Sequence, residues 1–157
     1  MLDLPSPPAF AEEALEVLVE SRVPARADRL KLLRGGVRAA ARMCGLDDGT
    51  AQNVVLAVDE ACQNVVVHGY AGRPAGAPEG EIVLTLARCA DGLLVRLRDF
   101  APPVDADRIR PRDLADLRPG RLGSHFIREI MDAAAYRPAP EGHGNVLEMV
   151  KRKDPRP

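Results

Sequence analysis

The stretch "DEACQNVVVHGY", residues 59–70, decides how the chain is read. Val54, Val58, Ala61, Cys62 and Val65 recur at spacings of three and four, the mark of an apolar helix face. Glu60 and Asn64 stand at i and i+4, stacked on one side of that helix. At about 100° per residue they fall about 120° from the middle of the apolar stripe, on its flank rather than in the core. Asn53 and Ala57 share the flank, and the small Ala57 leaves space there. Two readings stand at this point. Polar stripes on helices usually face solvent. The same flank also suits a polar ligand at the edge of a core: a carboxylate can take a proton or position a water. An amide oxygen beside it is a hard neutral donor for Mg²⁺, which takes oxygen ligands and keeps waters and phosphates around it.

Working outward, the apolar period changes along the chain. Residues 1–14 are Pro-rich and then acidic, a flexible arm ahead of one domain at 15–153. "LEVLVES" alternates Leu15, Val17 and Val19 with period two, which predicts a strand. Asp28 is placed to cap a helix whose face carries Leu30, Leu33, Val37, Ala41 and Cys44. Gly35-Gly36 weakens that helix by about 1 kcal/mol per glycine, and Gly45 ends it. "LDDGT" starts the second helix, which stops near Gly69. After a Gly/Pro/Ala loop, "EIVLTLAR" and "LLVRLRD" predict two strands around "CADG", whose Asp91-Gly92 pair signals a hairpin. The mixed-charge, Pro-containing stretch about 101–123 predicts a lid. "LGSHFIREIMDAA" returns to helical period, and "AYRP" and "NVLEMVKR" predict a closing hairpin around "APEGHG". The order predicts an α+β fold, a mostly antiparallel sheet with helices on one face.

Composition narrows the function classes. The chain has 157 residues, 46% hydrophobic and 29% charged, as suits one globular domain. A formal net charge of -1 and only 3% aromatics give no footing for nucleic acid. No apolar run approaches the roughly 20 residues of a membrane span, and the start lacks the pattern of a signal peptide, so a cytoplasmic location is expected. Cys44, Cys62 and Cys89 are an odd, scattered set, read as reduced structural thiols. His68, His125 and His143 are too scattered to make a metal site.

The boxes taken together are specific. "VDEACQNVVVHGY" resembles the N-box of the anti-sigma-factor serine/threonine kinases, a branch of the GHKL, or histidine-kinase-like, ATPases: an E-x-x-x-N core followed by His-small-Tyr. "LRDFAPPVD" is similar to the next box, a strand ending in Asp. "GRLGSHFIREIMD" resembles the glycine-containing box that begins the helix after the lid, and "GNVLEMVKR" the last strand. The resemblance runs from about residue 15 to residue 152, most of the chain.

The resemblance implies a two-layer Bergerat-type sandwich holding ATP and Mg²⁺ between the helices and under the lid. Glu60 would be the general base and Asn64 the Mg²⁺ ligand. Asp99 would accept from the adenine amino group, with Asn145 near it. Gly120, Arg121 and Gly123 would meet the phosphates, where the positive end of a helix favours anions. It also implies a STAS-class anti-anti-sigma protein as substrate, a sigma factor or other regulator as second partner, exchange between them, and a homodimer. Arg34, on the first helix, would face a partner. The chain departs from the family pattern at Ala101, where a glycine is usual, and at Arg121, where paired glycines are commoner. An alanine is strained there only if a positive φ is required. The alternative is therefore a partner-binding module of the same fold with a degenerate nucleotide site.

Overall fold

The computed structural model describes residues 4–8, 14–103 and 122–154. Its elements are β1 (Glu16–Pro24), α1 (Ala27–Met43), α2 (Asp48–Asn64), β2 (Glu81–Cys89), β3 (Gly92–Asp99), α3 (Leu122–Ile130), β4 (Ala133–Arg137) and β5 (Asn145–Arg152). One π turn, Val65–Gly69, extends α2. The strands form a single sheet in the order β1-β2-β3-β5-β4, every neighbouring pair antiparallel. This is the α+β architecture expected.

The main core lies between helices and sheet. Leu30, Leu33 and Val37 of α1 and Val54, Val58 and Ala61 of α2 meet Ile82, Leu84, Leu86, Leu93, Val95, Leu97, Leu147 and Met149. Full burial of a leucine such as Leu84 or Leu86 contributes about 1.5–3 kcal/mol. A second, smaller cluster of Ala87, Cys89, Leu94, Ala133 and Val150 lies apart from the first. Alternation along β2 and β3 sends these to the opposite face of the sheet. Both faces of the central strands are thus apolar, which is why β3 reads as a nearly unbroken run.

Local chemistry sets the ends. Asp47 caps α2, its Oδ1 accepting from the Thr50 N–H at 2.9 Å. Gly45, at φ 85°, closes α1, with Gly45 N–H on the Arg42 carbonyl and Leu46 N–H on that of Ala41, the paired bonds of a Schellman stop. Asp28 is not the cap of α1: Arg26 occupies that position without a side-chain cap bond. Asp28 sits in the first turn and holds Arg26 by two bonds of 3.1 Å. Gly35 and Gly36 do not interrupt α1, and a Cβ on Gly36 would meet only Val19 and Leu86, at 3.9 and 4.0 Å, so packing there does not require glycine.

Two expected boundaries move. The third helix stops at Ile130 instead of continuing through the alanines, because Ala133–Arg137 pairs with β5. Asp132 marks the change, its N–H on the Val150 carbonyl and its carboxylate on Arg152 N–H and Lys151 Nζ. The hairpin loop is Ala90-Asp91, since Cys89 already pairs with Gly92. Residues 4–8, from the segment expected to be a flexible arm, lie against the outer strand β4. Ala134 N–H donates to the Pro5 carbonyl at 3.1 Å, Arg137 to that of Pro7 at 2.5 Å, and Leu4 packs on the core.

Gly92 earns its place by packing, not by turn geometry. A Cβ there would lie 2.1 Å from the Lys151 carbonyl oxygen. Gly92→Ala is therefore expected to lose about 2–3 kcal/mol of stability through forced separation of β3 from β5. Urea denaturation measures this, and a loss below ~0.5 kcal/mol would show that the strands yield freely.

Candidate functional site

α2 presents Glu60 and Asn64 half-buried, one turn apart. On the same flank Ala57 is completely buried and Asn53 is exposed, so the flank runs from solvent to the edge of the core. Among the described residues neither Glu60 nor Asn64 has a hydrogen-bond or ion-pair partner. Their neighbour Asp59 is fully engaged. Arg34 of α1 forks onto it at 2.6 and 3.0 Å, and Gln63 donates at 2.8 Å. This fork fixes α2 to α1 beside the two unpartnered groups. Hydrogen bonding to Asp59, then its charge, raises the Arg34 pKa further. Cys62, buried below, has its thiol pushed up to about 12, chiefly by burial and then by Asp59. All three cysteines are buried free thiols.

The second half of the site is the end of β3. Leu93, Val95 and Leu97 point into the helix-side core, so alternation turns Asp99 to the same side. Asp99 is only 6% exposed. Its Oδ1 accepts from Asn145 Nδ2 and from the Ala101 N–H, each at 2.9 Å. Asn145 is its cross-strand partner and also donates to the Pro102 carbonyl at 3.2 Å. Asp99 Oδ2 receives no bond among the described residues, leaving one lone-pair edge for an incoming donor. Burial raises the Asp99 pKa, and the Asn145 and Ala101 bonds pull against that rise.

Ala101 resolves one departure. Among the described residues the only non-glycine with positive φ is Glu141, so Ala101 sits unstrained. Its methyl instead restricts Gly69, whose Cβ would lie 3.4 Å from that of Ala101. The π turn after Asn64 and the turn after Asp99 therefore abut. π turns of this kind often occur where helices serve a site.

Tyr70, at the end of the π turn, joins the two halves. Its hydroxyl donates to the Glu81 carbonyl at 2.8 Å and accepts from the N–H groups of Glu81 and Phe100 at 3.1 and 2.9 Å. Gly144 does comparable work on the other side: at φ 79° it lies so close that a Cβ would stand 1.9 Å from the Asp99 carbonyl oxygen. Sequence reasoning read Tyr70 only as the end of a motif and did not single out Gly144. The His-small-Tyr ending was a signal for the first, but its three bonds depend on strands distant in sequence.

α3 packs against α2 and carries Gly123 as its second residue. Gly120 and Arg121 lie outside the described residues, as does most of the expected lid. His68 and His143 are exposed and His125 half-buried. Among the described residues no three His, Cys, Asp or Glu are grouped to hold a metal. The Asn64 amide oxygen is a donor of the kind Mg²⁺ takes, and the Asp99 Oδ2 edge is an acceptor for an incoming N–H.

Comparison with known proteins agrees with the fold. The profile of the histidine kinase-like ATPase domain matches residues 23–151. A serine-protein kinase RsbW of Halalkalibacterium halodurans is 28% identical over 141 residues, covering 85% of this chain and 82% of that protein. A serine-protein kinase RsbW of Bacillus cereus is 25% identical over 122 residues, 73% of each chain. The crystal structure of the RsbU and RsbW domains of a Mycobacterium tuberculosis protein shares the fold, with a TM-score of 0.57 at 18% identity. It covers 85% of this chain, which spans 32% of that larger one.

The raised pKa of Asp99 has a definite sign in stability. A group whose folded pKa lies above its unfolded value favours folding below the unfolded pKa, and that contribution is lost as pH rises through the folded one. Asp99→Asn removes the buried charge while keeping an oxygen for Asn145. Its melting temperature should equal or exceed the parent's at pH 8, and the advantage should shrink as pH falls toward 4. Melting curves across that range test it; a pH-independent difference would show that Asp99 carries no burial cost.

Proposed function

Because the chain belongs to the histidine kinase-like ATPase domain family, we propose that it is an ATP-dependent serine/threonine protein kinase of the anti-sigma regulatory type. Its substrate is a hydroxyl on a small STAS-class antagonist, and its second partner is a sigma factor or other regulator held by partner exchange. The observation that carries the reading is the Oδ2 edge of buried Asp99, which takes no bond among the described residues. The turn beyond it is tied by Tyr70 to the helix bearing Glu60 and Asn64. The names of the RsbW relatives point to the same activity.

In this reading ATP supplies the phosphoryl group and Mg²⁺ offsets its charge. Asp99 accepts from the adenine amino group through Oδ2, and Asn145 keeps Oδ1 occupied so that the carboxylate cannot turn. Asn64 offers its amide oxygen to Mg²⁺. Glu60 takes the proton of the attacking serine or threonine hydroxyl, whose oxygen forms the new bond to phosphorus as the bond to the ADP oxygen breaks. Phosphoryl transfer asks mainly for positioning and charge stabilisation, and the fork of Arg34 on Asp59 supplies part of the positioning. Arg34 thereby has an intramolecular partner, whatever else it meets. Gly120, Arg121 and Gly123 are assigned to the phosphates by the resemblance alone. The unstrained Ala101 favours this reading over the degenerate module. A homodimer in the cytoplasm completes the proposal; among the described residues no helix is long and apolar enough to cross a membrane.

Glu60→Gln should reduce phosphorylation of a STAS-class protein by about 10²–10⁴-fold, the usual worth of a general base, while leaving Mg-ATP affinity within about threefold by calorimetry. Asn64→Ala should weaken binding in the presence of Mg²⁺ and have little effect in its absence. Undiminished transfer by the Glu60→Gln protein would remove the base assignment. Parent protein that shows no ATP binding at millimolar concentration would identify the degenerate module.

A further inference from the structure

We infer that Tyr70 is a positioning residue for adenine selectivity, its phenol ending the β2–β3 ladder at the point where Asp99 must face the base. The inference rests on the nucleotide reading above. In the ladder, Ile82 pairs with Asp99, so the next opposed pair would be Glu81 and Phe100. No backbone pairing is made there. The Tyr70 hydroxyl stands in its place, donating to the Glu81 carbonyl and accepting from both the Glu81 and Phe100 N–H groups. A phenol has one donor and two acceptor sites, and all three are used. Asp99 is therefore the last residue of its strand in the ladder, and the chain turns so that the Ala101 N–H reaches back to Asp99 Oδ1 at 2.9 Å.

The seat for this ring is built. A Cβ on Gly80 would lie 2.5 Å from the ring carbons, so the ring rests directly on that backbone. The Arg73 guanidinium lies 4.9 Å from the ring centroid, and Gly80 is held in turn by the Ala25 N–H on its carbonyl at 2.7 Å. Because Tyr70 follows the π turn of α2, the phenol also links the segment bearing Glu60 and Asn64 to the strand bearing Asp99. A shift of either reaches the other through one saturated hydroxyl.

Base identity is a direct readout of Asp99. Adenine offers an amino donor where guanine offers a carbonyl, and a carboxylate accepts from the first and repels the second. A tyrosine that only braced the fold would change stability without changing this preference. Tyr70→Phe keeps the ring on its seat and removes the hydroxyl, leaving two N–H groups and a carbonyl without their partner.

The test is calorimetric affinity of the full chain for Mg-ATP and Mg-GTP, parent against Tyr70→Phe. The expected result is an ATP/GTP affinity ratio that falls by about tenfold, driven by loss of ATP binding. A ratio equal to the parent's, with or without a lower melting temperature, overturns the inference and leaves the nucleotide reading standing. A parent that binds neither nucleotide overturns both. Amide exchange in the unaltered chain gives a second readout that needs no variant. The Glu81 and Phe100 N–H groups should slow on adding ATP and not on adding GTP. Equal exchange with either nucleotide would count against Tyr70 as strongly as an unchanged ratio.

Discussion

A carboxylate carried to the end of an apolar strand must find donors or lose its charge, and much of this molecule is arranged around that demand at Asp99. β5 lies beside β3 so that Asn145 opposes it. Gly144 gives up its side chain so that the two backbones can meet. The chain turns at Ala101 to return an N–H. Among the described residues these contacts satisfy one carboxylate oxygen and leave the other without a bond. Burial still weighs against the charged form of Asp99, and the Asn145 and Ala101 bonds offset part of that cost.

The helical side of the site answers a different problem. Among the described residues the Glu60 and Asn64 side chains make no hydrogen bond, while their neighbour Asp59 is engaged. Asp59 absorbs Arg34 and Gln63. The nearby cation is thus neutralised by the residue next to Glu60 rather than by Glu60 itself. The fork is a clasp between α1 and α2.

Much of this was legible before the fold was known, and the divide has a physical basis. Helical and strand periods are local, so α1, α2, β2, β3 and β5 could be read directly. The i, i+4 relation of Glu60 and Asn64 is equally local. What escaped was non-local. The alanines of β4 carry high helix propensity, and only pairing with β5 makes them a strand. The Asp-Gly signal found the right hairpin, but the need for Gly92 comes from the Lys151 carbonyl, far along the chain. Asp28 has the chemistry of a cap, yet a salt link to Arg26 holds it one step inside the helix. Tyr70 could be read as part of a motif but not as a hub, because its partners Glu81 and Phe100 meet only when the sheet forms. Gly120 and Arg121 depend on the resemblance alone.

The outer strands of the sheet bear on how copies of the chain can meet. Along β4, the Pro5 carbonyl already takes the Ala134 N–H, and Arg137, braced on Glu148, holds Pro7 nearby. Along β1, the opposite edge, the register slips between Val17 and Val19, and such a bulge twists a strand away from flat pairing. One border is thus partly covered by residues 4–8, and the other carries a bulge near its start. Among the described residues the sheet has five strands, and both features make its borders poorer templates for a foreign strand than a long, flat, uncovered edge would be.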